Sequence, residues 1–234
     1  MPLSLFVPHK GYRRNQGYTF TTQRMPLYKT IHHDSNTQIL IWEITESLQK
    51  LTSEVVLSKN SAARLHGMKS VVHQCGFLSV RKLLQEIGYT DFDLFYDEFG
   101  KPHLKDGRHI SISHSHDFST LILTNENCGI DLEMQREKII RIADKFVTTE
   151  FDFLNPSDQS QYIKMLTVIW GAKEAVFKIR NEAGISFKDH IHVQPINLNR
   201  NQTTATLRFT GKITFDIFFE EIANFMVVYA FEKV

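Results

Sequence analysis

The chain has 234 residues, 27 Lys and Arg against 26 Asp and Glu, a formal net charge of +1, and 42% hydrophobic content that includes 18 Phe. That is enough apolar surface for one large domain or two small ones. It excludes a disordered chain and a strongly basic one built to attract nucleic acid or an acidic membrane. The two cysteines, Cys75 and Cys128, make neither a disulfide framework nor a thiol-based zinc site, which fits a reduced compartment. No uninterrupted apolar run approaches the ~18–20 residues of a membrane span, and residues 1–30 contain no apolar signal core. The expectation is a cytoplasmic protein that engages neither membrane nor nucleic acid.

Residues 1 to about 36 lack periodicity and read as a loosely held N-terminal arm. Thr37–Ile44 (TQILIWEI) reads as a buried strand, and a helical pattern starts at Thr45. Val55–Ile87 is mostly helical in pattern, with Gly67 and Gly76 leaving its continuity open and Gly88 as its stop. Phe92–Tyr96 is a short strand, followed by a Gly- and Pro-punctuated turn at Asp97–Pro102. His109–Ser113, Ser119–Thr124 and Cys128–Glu133 read as strands, Arg136–Leu154 as a helix, and Ser160–Arg180 as the strongest helix of the chain. His190–Pro195, Thr204–Phe209, Lys212–Phe219 and Asn224–Phe231 complete the pattern as strands, the last three antiparallel. Strand, helix, then strands occurs twice. The expected fold is therefore α+β in two similar halves, 37–117 and 118–234.

Two segments carry chemistry. In Cys128-Gly129-Ile130-Asp131-Leu132-Glu133, a strand would put Asp131 and Glu133 on one face. Two neighbouring carboxylates repel and resist burial, and a divalent cation would relieve that. In Trp170-Gly171-Ala172-Lys173-Glu174-Ala175-Val176-Phe177-Lys178, helical spacing places Trp170, Lys173, Glu174, Phe177 and Lys178 on one face roughly 140° wide. Three carboxylates for a metal and two lysines for phosphate describe a site that handles a phosphate ester or anhydride. The bland alternative is surface ion pairing, including Glu174 with Lys178 at i, i+4.

Three motifs together resemble the 4′-phosphopantetheinyl transferases of the larger, two-halved, surfactin-type class. They are Gly100-Lys101-Pro102 followed by Ile112-Ser113-His114-Ser115, then Gly129-Ile130-Asp131-Leu132-Glu133, then Trp170-x-x-Lys173-Glu174-Ala175-x-x-Lys178. The resemblance covers roughly residues 37–232. It implies a pseudo-dimer of two α+β halves, each a small, mostly antiparallel sheet packed on a long helix, with the active site at their interface. It also implies Mg²⁺-dependent transfer (Mn²⁺ as the substitute) of the phosphopantetheine arm of coenzyme A, the co-substrate, onto a serine of an apo acyl or peptidyl carrier protein. Adenosine 3′,5′-bisphosphate is the other product, and fused halves make a monomer sufficient.

On this resemblance Asp131, Glu133 and Glu174 hold the metal, and Glu174 is also the candidate proton acceptor. Lys173 and Lys178 neutralise phosphate oxygens, Lys173 standing with Glu174 as catalytic. Lys101 and Pro102 meet the nucleotide, and Ser113 and His114 grip the 3′-phosphate. A zinc site begun by His114-Ser115-His116-Asp117 lacks further ligands at suitable spacing. An arginine expected near His73 is absent. Lys59, Arg64, Lys69 or His73 stand in for it, while Arg81 reads as structural. The segment Ile139–Tyr162, with Arg141, Lys145 and Phe146, is the candidate carrier dock. Two rival readings are a metal-dependent phosphate-ester hydrolase and a degenerate member that binds coenzyme A or carrier without transfer.

Overall fold

The computed structural model describes residues 27–233. It is α+β, and every strand pairing is antiparallel. Residues 1–26 of the expected arm lie outside the described residues. The rest of that arm contains β1 (Leu27–His32), which pairs with β2 (Gln38–Glu43).

Three helices follow: α1 (Leu48–Glu54) in the pattern that begins at Thr45, then α2 (Lys59–Gly67) and α3 (Val71–Glu86) within Val55–Ile87, whose continuity was open at Gly67 and Gly76. Serine side chains start the first two, while Ser70 before α3 makes no side-chain cap. Ser47 caps α1 by accepting from Lys50 N at 3.2 Å, and Ser58 caps α2 by accepting from Ser61 N at 3.3 Å. Gly67 ends α2, but α3 runs unbroken through Gly76. A short ribbon, β3 (Leu94–Tyr96) with β4 (Pro102–Leu104), flanks the Asp97–Pro102 turn. The Asp97 carboxylate accepts from Phe99 N and Lys101 N there, and Gly100 takes φ +83°.

Next come β5 (His109–Ser115), β6 (Phe118–Thr124) and β7 (Cys128–Met134). The boundary expected at residue 117/118 falls inside the β5–β6 hairpin. Both strands belong to a four-stranded sheet of order β1-β2-β6-β5, and the chain changes sheet between Thr124 and Cys128. Residues 136–154 form two 3₁₀ segments, Glu137–Lys145 and Thr149–Phe153, rather than the expected helix. Ile140, Ala143 and Phe146 recur every third residue, as do Ile139 and Ile142, and all five pack against the same core. That spacing suits three residues per turn better than 3.6. Helix α4 (Gln159–Arg180) is followed by β8 (Ile191–Val193), β9 (Gln202–Arg208), β10 (Lys212–Ile222) and β11 (Phe225–Glu232). With β7 these make the second sheet, ordered β7-β11-β10-β9-β8.

Side-chain alternation stacks the layers. In β2, Leu40 and Trp42 join the α3 core while Ile39 and Ile41 face the second sheet. Covered on both faces, β2 has no polar alternation. In β7, Cys128, Ile130 and Leu132 enter the core shared by the two sheets. Gly129, Asp131 and Glu133 therefore turn to the other face, where α4 packs. That packing is close: a Cβ on Gly129 would stand 2.0 Å from the Ala175 carbonyl oxygen. The glycines of both motifs serve this contact, since a Cβ on Gly171 would lie 2.7 Å from Val228. Among the described residues, no helix is long and apolar enough to cross a membrane.

Candidate active site

The two sheets meet along β5 and β7, and serine hydroxyls stitch the seam. Ser111 Oγ accepts from Ile130 N at 3.1 Å, and Ser113 Oγ accepts from Leu132 N at 3.2 Å. Ser113 Oγ then donates to Asp131 Oδ1 at 3.0 Å. From α4, Lys178 Nζ donates to Ile130 O at 2.7 Å and to the same Asp131 Oδ1 at 2.8 Å. Asp131 is buried, and its Oδ2 has no partner. A buried carboxylate oxygen left bare is costly unless something else completes it.

Glu133 and Glu174 stand around this carboxylate. Burial and then the charge of Asp131 push the Glu133 carboxyl up to about 7, a hydrogen bond from Trp170 pulls it back, and Glu174 adds repulsion. Glu174 is raised by burial and then by Asp131, with Lys178 opposing. These are the signs of buried acidic groups crowded with too little counter-charge, Lys178 alone pairing with Asp131 and only partly offsetting Glu174. Among the described residues, however, no group of three or more His, Cys, Asp and Glu is arranged to hold a metal ion. The three carboxylates neighbour one another but are not gathered into a finished cluster. Their all-oxygen donors and the bare Asp131 Oδ2 suit a hard cation that keeps water and substrate oxygens in its shell.

A cavity of about 260 Å³ is lined in part by Ser113 and Lys178, the two side chains that bind Asp131. Lys101, Pro102, Ser113, His114 and Lys178 all line it, so five residues of the expected coenzyme A set share one wall system. Their roles differ. Lys178 uses two of its three donors on the protein, leaving one for a ligand. Lys101 donates to Ile179 O at 2.8 Å and Asn127 Oδ1 at 3.2 Å, which ties the turn to the end of α4. Burial draws its ammonium below the usual lysine range. Ser113 lines the cavity, but its hydroxyl hydrogen goes to Asp131. The expected 3′-phosphate contact is thus replaced by a positioning role. His114 is exposed to the cavity on one side and crowded behind, where a Cβ on Gly76 would come within 3.1 Å of its ring. Burial, then His73, Lys178 and Arg64, hold its pKa below the ordinary value.

Lys173 does not belong to the site. It is fully buried, pairs with Glu150 Oε1 at 2.7 Å, and donates to the Phe146 and Phe187 carbonyls. All three of its donors are engaged, so the expected phosphate and catalytic role is corrected to a structural one. The wide helical face expected on α4 divides in two. Trp170 packs on Phe146 and Phe187, and Lys173 turns to the same two segments, while Lys178 turns to β7. Phe146 is likewise buried beneath Trp170 and is unavailable to a carrier protein, although Arg141 and Lys145 are exposed.

Of the four candidate basic stand-ins, one lines the cavity. Arg64 lines the cavity, with its guanidinium 4.7 Å from the Tyr96 ring centroid and 5.7 Å from that of Phe77. The His73 ring lies 6.1 Å from that of His114. Lys59 and Lys69 are exposed and do not line the cavity. Arg81 is structural as expected: buried, it pairs with Asp91 at 2.8 Å and donates to Phe77 O at 3.1 Å. Glu150 went unread because it lies 23 residues from its partner, in a segment whose pattern suggested an ordinary helix.

The acidic residues of β7 and α4 and Lys178 fall in a part of the chain that known proteins share, whereas most of the cavity lining precedes it. Residues 127–226 match the 4′-phosphopantetheinyl transferase superfamily. The chain is also similar to a protein named 4′-phosphopantetheinyl transferase gsp from Aneurinibacillus migulanus. The two are 27% identical over 136 residues, which cover 56% of this chain and 55% of that protein. The chain thus spans about half the length of the curated relative it matches. Both comparisons agree with the resemblance carried by the three motifs, two of which, Gly129–Glu133 and Trp170–Lys178, lie inside the matched stretch.

Proposed function

We propose that this protein is a 4′-phosphopantetheinyl transferase, moving the phosphopantetheine arm of coenzyme A onto a serine hydroxyl of an apo acyl or peptidyl carrier protein. One observation carries the reading. The cavity lined by Lys101, Pro102, His114, Arg64, Ser113 and Lys178 connects to Asp131 through the last two, which both bind its Oδ1, while its Oδ2 is buried and bare. Coenzyme A carries a base, a 3′-phosphate and a diphosphate, and this cavity offers matching surfaces. Arg64, His73 and His114 suit the 3′-phosphate, whose charge would favour the protonated imidazole. The free donor of Lys178 suits a diphosphate oxygen as a point charge.

Asp131, Glu133 and Glu174 are the side chains that would hold a divalent cation, Mg²⁺ or Mn²⁺. When bound, it would neutralise the diphosphate and the developing charge of a phosphoryl transfer. The chain's own part is positional. Ser113 and Lys178 fix Asp131, and β7 fixes Glu133 beside it. Glu174 is the carboxylate that would accept the serine proton. Each sheet carries one long helix, α3 on the first and α4 on the second, and the site draws on both. This supports a pseudo-dimer of two halves with the active site between them, sufficient as a monomer. A shallow groove lined by Glu133, Met134, Arg136, Lys138, Ile139, Ile142 and Trp170 adjoins the acidic centre. Its basic and apolar rim suits an acidic helical carrier.

The test is direct. Purified protein, Mg²⁺ and coenzyme A are mixed with a panel of apo carrier proteins, and the carriers are weighed. A carrier gaining the mass of the arm, with adenosine 3′,5′-bisphosphate released and both lost in Asp131→Asn, is the expected result. Phosphopantetheine released without carrier would mean a hydrolase, and coenzyme A binding without any carrier gaining mass would mean a non-transferring binder.

A further inference from the structure

Helix α4 ends on a residue that no motif contains. Asn181 follows Arg180 in the left-handed conformation, φ +49°, and its N–H closes the helix on Phe177 O at 2.7 Å. Asparagine tolerates this conformation better than other side chains. The cap therefore explains the backbone, but it does not explain the amide. Asn181 lines the same cavity as Gly100, Lys101 and Pro102, and its Nδ2 is buried without any acceptor. An amide donor enclosed and unsatisfied at the wall of a cavity awaits a ligand acceptor.

The charge layout decides which part of a ligand that is. Arg64, His114 and Lys178 line the cavity and His73 stands behind, its ring 6.1 Å from that of His114, and all three neighbours act on His114. The Asn181 end lies at the carboxyl end of α4, where helix carbonyls carry partial negative charge. Lys101 is already engaged there by Ile179 O. A neutral group with an acceptor beside a donor fits, and a carboxamide reads such an edge on adenine through paired hydrogen bonds.

We propose that Asn181 is a specificity residue that reads the purine base of the nucleotide, selecting adenine by its amino group and adjacent ring nitrogen. The assignment rests on the coenzyme A reading above. A 6-oxo purine would place an oxygen where the Asn181 oxygen needs a donor, leaving a buried acceptor pair unmatched.

The experiment compares binding of adenosine 3′,5′-bisphosphate and inosine 3′,5′-bisphosphate to the full chain by calorimetry, in the wild type and in Asn181→Gly. Glycine keeps the left-handed cap while removing the amide, and a thermal melt of each protein confirms that the cap is intact. The wild type is expected to prefer the adenine compound about tenfold, and the variant to lose that preference to within about twofold, as for one to two directed hydrogen bonds. Equal binding of both compounds by the wild type, or a preference that survives in Asn181→Gly, overturns the assignment of Asn181 and leaves the transferase reading standing. Binding of neither compound by the wild type overturns the transferase reading and this inference together.

Discussion

Lys173 separates a catalytic account of α4 from a structural one. Its ammonium is fully enclosed, faces Glu150 at 2.7 Å, and donates to two carbonyls from different loops. Glu150 also accepts from Thr148 N and Val193 N, both at 3.0 Å, so one ion pair ties β8, the second 3₁₀ segment and α4 together. Replacing Lys173 with Met keeps the stem volume but leaves a buried carboxylate without a counter-charge. Removing one partner of such a pair costs about 3–5 kcal/mol. At roughly 2–4 °C per kcal/mol for a chain of this size, the melting temperature should fall by about 6–20 °C. The double variant Lys173→Met with Glu150→Leu removes both charges and should recover part of the loss, because the penalty belongs to the unpaired charge. Thermal unfolding of the two single variants and the double variant measures this. A Lys173→Met protein that melts with the wild type and has lost only transfer would refute the reasoning and return Lys173 to the phosphate.

Gly129→Ala forces a methyl to within 2.0 Å of the Ala175 carbonyl oxygen, a contact with backbone that cannot swing away. It should destabilise the fold by more than the usual ~1–3 kcal/mol of overpacking, readable as loss of soluble protein or a depressed urea midpoint. Arg64→Ala should raise the apparent KM for coenzyme A about tenfold or more while leaving the response to 3′-dephospho-coenzyme A nearly unchanged. An equal effect on both substrates would place Arg64 away from the 3′-phosphate. At Asp91, burial pushes the carboxyl up but is outweighed by hydrogen bonds from the Ser58 backbone and from Arg81, Ser58 and Ser61, so its folded pKa lies below the ordinary value. Its stabilisation is therefore present above the ordinary carboxylate range and lost as pH falls through the depressed value. Asp91→Asn should cost most near neutral pH, and the gap to wild type should narrow as both are acidified; a gap constant with pH in urea titrations would contradict this.

The legibility of the site followed the range of its interactions. Asp131 and Glu133 could be placed on one face because strand alternation is local, and β7 obeys it with Ile130 and Leu132 on the other side. The antiparallel run from β9 to β11 was readable for the same reason. Helical periodicity failed where tertiary partners chose between positions of similar angle. Lys173 and Lys178 fall within one broad arc of α4, but a carboxylate 23 residues upstream drew one inward and Asp131 drew the other to the site. Ser113 shows the same limit at smaller scale. A hydroxyl beside His114 suggested a phosphate contact, but the edge of β7 was near enough to claim it, with Leu132 N donating to its oxygen and Asp131 Oδ1 accepting its proton. Arg64 and Asn181 were illegible as choices because cavity lining depends on how α2, α3 and the end of α4 converge, and no local pattern encodes that convergence. The carboxylates show why the distinction matters for function. The chain supplies their identity and their common face, and packing alone supplies the burial that leaves Asp131 Oδ2 bare. A substitution that opened that seam, such as Ser113→Ala, would keep every acidic residue and still weaken the site, because Asp131 would lose the hydroxyl that holds it in place.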